Sequence, residues 1–122
     1  MDEVMIYAYS RKQAIEDGVL VDLTPLAWKV GFCVPVAVTS AVWVKCIEGP
    51  PAMSGEDQVG RSRDILRRLR DVTAHCGDQR EAFFSLLVQK DTEKMAMETL
   101  KANISPGDEG EPVITIMFTD ED

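Results

Sequence analysis

The hydrophobic pattern changes character once along this chain, and that change bounds what it can fold into. Between about Glu56 and His75 the apolar residues recur at helical spacing. Val59, Ile65, Leu66, Leu69, Val72 and Cys76 fall in one sector of a helical wheel, with Arg61, Arg63, Arg67, Arg68 and Arg70 on the other faces. The pattern predicts a long amphipathic helix with a basic exterior, stopping at Gly77. Beyond Gly77-Asp78 the segments EAFFSLLVQK (81–90), METLKANI (97–104) and PVITIMFT (112–119) read as strands. Lys90–Glu93 and Ser105–Gly110 supply the turn chemistry between them. In the last strand Val113, Thr115 and Met117 alternate with Ile114, Ile116 and Phe118, and the second set is expected to face the core.

The first half reads as shorter pieces. VMIYAY at 4–9 suits a short strand or extended lead-in. Ser10 stands where a helix N-cap would, and Gly18 offers a left-handed stop. VLVDL at 19–23 is strand-like, with Val19, Val21 and Leu23 on one face and Leu20 and Asp22 on the other. Thr24-Pro25 predicts a second helix start, a capping residue followed by proline at the first helical position, and Gly31 ends it. Pro35 breaks the next apolar run, Thr39 is expected to cap a third helix, SAVWVKCIE, and GPPAMSG at 49–55 is a loop. Trp28 and Trp43 lie on apolar helical segments and read as core residues. The expected fold is a single α+β domain over residues 1–122, with N-terminal helices packed on a C-terminal three-stranded antiparallel meander.

Charge is unevenly placed. The formal net charge is −8, and residues 105–122 hold six of the 21 acidic residues and none of the 13 basic ones. The remainder is nearly balanced. Such a field favours a protein partner with a basic surface and makes bare nucleic acid an unfavourable ligand. Three cysteines without a C-x-x-C pair argue for a reducing cytoplasm and against a disulfide framework. No secretory signal is legible, and FCVPVAVTSAVWV at 32–44 is too short and too interrupted to span a bilayer. The expectation is a cytoplasmic protein without membrane attachment.

Few residues could do chemistry. His75 and Cys76 adjoin, but helical neighbours diverge by about 100° and do not form a working pair. One histidine and three dispersed cysteines lack zinc spacing, and the Gly107–Gly110 stretch fits neither a phosphate cradle nor a helix–loop–helix calcium loop. No catalytic residue, metal or cofactor is therefore expected. The arginines at 61, 63, 67, 68 and 70 could contact an anion or an acidic partner, including a second copy of the chain. Asp64 and Asp71 stand at spacings that would lace Arg67 and Arg68 into a self-neutralising face. The acids Asp108, Glu109, Glu111, Asp120, Glu121 and Asp122 are the candidate protein-binding residues.

The stretches YSRKQAIEDGVLVDLT (9–24), GFCVPVAVTSAVW (31–43) and TLKANISPGDEGEPVITIMFTDED (99–122) resemble a family of small uncharacterised bacterial proteins. Its members are often carried by plasmids and other mobile elements, and their function is unknown. The long helix departs from that family, with ILRRLRDV where it carries tryptophans. The resemblance implies a setting, cargo of mobile DNA, and no catalytic residue. The leading expectation is a non-enzymatic accessory protein acting by protein binding, in one version an antagonist of host defence of the anti-restriction or anti-CRISPR type. A nucleic-acid-associated regulator using Arg61–Arg70 is the alternative, and a small enzyme has the fewest parts.

Overall fold

The computed structural model of the chain describes residues 9–48, 55–73, 80–90 and 93–121. The lead-in at 4–8, the loop at 49–54, His75-Cys76 with the following turn, Asp91-Thr92 and Asp122 lie outside them. In chain order the elements are α1 (Arg11–Glu16), β1 (Leu20–Asp22), α2 (Thr24–Val30), β2 (Val36–Thr39), α3 (Ser40–Val42) running on as a π-helix (Trp43–Glu48), α4 (Gly55–Thr73), β3 (Glu81–Gln89), β4 (Met95–Pro106) and β5 (Pro112–Phe118).

The strands form one five-stranded sheet in the order β1-β2-β5-β4-β3. This corrects the expected meander: β3, β4 and β5 are antiparallel neighbours, but β2 pairs parallel with β5 and β1 closes the other edge. The reason lies in Val36, Ala37 and Val38, all fully buried. A strand covered on both faces loses its alternation and reads as an undivided apolar run. Pro35 ends no structure here; its carbonyl accepts the Ile114 N–H at 2.9 Å and begins the parallel pairing.

Register sorts the side chains. Val21, Val38, Ile116, Ala102 and Ala82 form one cross-strand row, and Phe118, Leu100 and Phe84 another. This face meets Ile65, Leu66 and Leu69 of α4, Cys46 and Ile47 of the π-helix, and Ala27 and Val30 of α2. Ile114, Ile116 and Phe118 face that core as expected. Val113 and Met117, on the opposite side, are buried as well. The Arg11 guanidinium of α1 lies over that second face, bonded to Thr115.

Local signals set most helix ends. Ser10 Oγ accepts the Gln13 N–H at 3.0 Å, and Thr39 Oγ1 accepts the Val42 N–H at 3.3 Å. At α2 the capping assignment moves: Asp22 Oδ1 accepts both the Thr24 N–H at 3.1 Å and the Thr24 hydroxyl at 2.5 Å. Thr24 Oγ1 in turn accepts the Val36 N–H at 3.2 Å, tying the helix start to β2. Gly31 ends α2 with φ 117°, and an added Cβ would meet the Arg70 guanidinium at 3.3 Å. Arg70 reaches that spot to donate to the Val30 carbonyl, a cation on the negative end of a helix. In α4 the apolar sector holds at Ile65, Leu66 and Leu69, whereas Val59 is 47% exposed. Trp28 is 60% exposed and so is not a core residue; Trp43 packs partly buried against the core.

Candidate functional site

Three segments far apart in sequence converge beside α1. Asp108, in the β4–β5 turn, accepts the Arg11 N–H at 2.7 Å and the Lys12 N–H at 3.0 Å. It thus satisfies two of the N–H groups that a helix start leaves without partners. Those hydrogen bonds, first Arg11 and then Lys12, hold the Asp108 carboxyl below the ordinary carboxylate range. A depressed carboxyl stabilises the fold above its unfolded pKa, and that contribution disappears as pH falls through the folded value. Asp108→Asn is therefore expected to melt at a lower temperature than the parent at about pH 7, the gap narrowing as pH falls below about 4. Thermal melts followed by circular dichroism from about pH 7 downward check this; a difference constant with pH would show that the Asp108 charge does not cap α1.

Arg11 turns its side chain inward. Its Nη1 donates to Thr115 Oγ1 and its Nη2 to the Ile114 carbonyl, both at 2.8 Å. Burial pulls the Arg11 guanidinium below its usual value, opposed by the charges of Asp22, Asp108 and Glu111. It remains a cation at neutral pH. Together the start of α1, the end of β1, α2 and the β4–β5 turn enclose an open groove of about 550 Å3. Ile15, Pro35 and Val113 give it an apolar lining and Trp28 stands in its wall. Glu16, Asp22, Asp108 and Glu111 supply four carboxylates against the cations of Arg11 and Lys12. The volume falls in the range of small-ligand clefts.

The five described acids of the expected six, all but Asp122, do not form one surface. Asp108, Glu109 and Glu111 sit before β5, and Asp120 and Glu121 follow it, roughly 25 Å away at strand rise. β5 is the middle strand of the sheet, not its edge. Glu121 Oε2 accepts the Thr39 hydroxyl at 2.9 Å and the Phe118 N–H at 2.8 Å, closing the chain onto the start of α3. Glu111 Oε1 accepts the Glu109 N–H at 2.9 Å within the turn. Of these acids only Asp108 and Glu111 line the groove, where they join Glu16, Asp22 and Trp28, residues that no acidic run or motif singles out. A wheel drawn on α2 alone carries the missed signal. Ala27 and Val30 define its buried sector, and Trp28 lies about 100° and 200° from them.

The arginine set is also dispersed. Arg61 Nε donates to the Cys46 carbonyl at 3.1 Å, Arg68 Nε to the Ser85 carbonyl at 3.2 Å, and Arg70 to Val30. Three of the five guanidiniums thus bind α4 to the π-helix, the sheet and α2. Cys46 borders a small cavity of about 130 Å3 with Arg61, Asp64 and Leu86. Burial pushes its thiol up to about 11, with Lys90 pulling the other way, so it stays protonated at neutral pH. Among the described residues no cluster of three or more His, Cys, Asp or Glu side chains could hold a metal ion, and no helix is long and apolar enough to cross a membrane.

A family model described as a family of unknown function, DUF6573, matches residues 2–122. The chain belongs to this family. Comparison with curated proteins and with solved structures gives no match. The DUF6573 description gives no function, so the groove is defined by its geometry in this chain. The match spans α1, β1, α2 and the β4–β5 turn alike, so every wall of the groove lies within the family region.

Proposed function

We propose that the chain is a non-enzymatic binding protein that holds a basic segment of a protein partner in the groove beside Trp28. One observation carries the reading: an indole 60% exposed stands in the wall of an open, partly apolar groove bearing four carboxylates. A lysine or arginine side chain entering there would stack its cation on the indole and meet a carboxylate at the rim. Its aliphatic stem would cover Ile15 and Pro35. Arg11 is held by Thr115 and Ile114 and does not compete for the opening. In the setting of a bacterial mobile element, an antagonist that occupies the basic, nucleic-acid-binding surface of a host-defence protein is one form of this activity.

The test is titration with an arginine- and lysine-rich peptide of about ten residues, followed by calorimetry. The expected dissociation constant lies between about 1 and 100 µM, weakening about tenfold from 0.05 to 0.5 M salt as the charges are screened. Neutralising Glu16, Asp22 and Glu111 together should abolish the signal, while Asp120→Asn leaves it intact. Equal binding of an acidic peptide, or loss on Asp120→Asn alone, would overturn the assignment.

A further inference from the structure

We infer that the outward face of the β3–β4 ribbon is the contact surface of a homodimer, packed face to face across a two-fold axis. In the pairing register Phe83 opposes Lys101, Ser85 opposes Thr99, Leu87 opposes Met97 and Gln89 opposes Met95. These positions alternate with Phe84, Leu86 and Val88, which face the core. Phe83, Leu87, Met95 and Met97 are 55%, 58%, 56% and 62% exposed. Four large apolar side chains in that state present on the order of 400 Å2, with Leu87, Met95 and Met97 adjoining and Phe83 across the Ser85–Thr99 pair. That is about half of the roughly 800 Å2 each partner gives to a standard interface. Ser85 and Thr99 lie on the same face.

Charge selects a second copy as the occupant. Two chains of net charge −8 repel in most orientations. On this face of the ribbon the charged positions are Glu81 and Lys101, 3.9 Å apart, which cancel. The pattern is also self-complementary. Ser85 and Thr99, hydrogen-bonded at 2.9 Å, mark its middle, with Phe83 on one side and Leu87 and Met97 on the other. A two-fold axis there lays Phe83 of one copy on Leu87 and Met97 of the other, the isologous arrangement of a closed dimer.

The edge of β3 is less open than its face. The bonds Ile104 N–H to Arg80 O and Lys90 N–H to Lys94 O show that even-numbered residues of β3 bond to β4. Odd-numbered residues therefore turn their main-chain groups outward. Arg68 occupies the outward Ser85 carbonyl, which obstructs strand-to-strand extension at its midpoint.

Sedimentation equilibrium of the full chain tests the assignment. The average mass should rise from 13.6 kDa toward twice that value between about 1 and 100 µM. Added salt should strengthen association by screening the repulsion, opposite to its effect on the basic peptide. Leu87→Glu and Met97→Glu should each weaken the dimer more than about tenfold, with Arg68→Ala leaving it no weaker. If a glutamate variant fails to fold, Phe83→Ser gives the same readout. A mass of 13.6 kDa throughout the range, or a dimer indifferent to these substitutions, overturns the proposal. So does a monomer that floats with neutral phosphatidylcholine vesicles, which would assign the face to lipid.

Discussion

Ile116→Ala is expected to destabilise the fold by about 3–5 kcal/mol and to lower the melting temperature by roughly 10–20 °C. Ile116 is fully buried, with Val38 directly across on one side and Ala102 on the other. Truncation forfeits the transfer energy of three carbons and leaves a void, because Ala102 and the paired backbones cannot close inward. Urea unfolding with an unchanged slope is the measurement. The size of the effect also reports on topology. In a three-stranded meander β5 would be an edge strand with room to relax, and a loss below about 1.5 kcal/mol would favour that arrangement.

Trp28→Ala should have the largest effect on recognition and little on folding. Aromatic anchors in an interface commonly contribute 2 kcal/mol or more, so affinity for the basic peptide should fall at least about thirtyfold. Because the indole is mostly exposed, the melting temperature should stay within about 2 °C of the parent. Trp28→Phe should recover part of the affinity, since a phenyl ring keeps a weaker cation-binding face. Loss of stability in step with loss of binding would instead make Trp28 a packing residue.

The sequence reveals the elements whose periodicity survives in the fold. α4 is legible because Ile65, Leu66 and Leu69 meet the sheet on one side only. β3, β4 and β5 are legible from their turns, with Gly107 and Gly110 closing the last one. β2 is hidden by its position: with both faces covered, Val36–Val38 carries no alternation, and Thr39 also serves as a helix cap. The candidate site was half visible. Asp108 and Glu111 stand out as acids in a turn, but their place in a groove depends on α1 docking 97 residues away along the chain. Local spacing cannot report that contact. Arg61, Arg68 and Arg70 look like a charged exterior because a sequence records a guanidinium and not the carbonyl to which it turns.

The order of the strands has a consequence for how the sheet closes. β1–β2 and β3–β4 share no ladder with each other; in the sheet each is joined to the other only through β5, which follows both in the chain. Without Pro112–Phe118 the chain therefore holds two ribbons, each with an unpaired flank, linked by the packing of α4 on both. Closure of the sheet thus rests on the seven residues of β5.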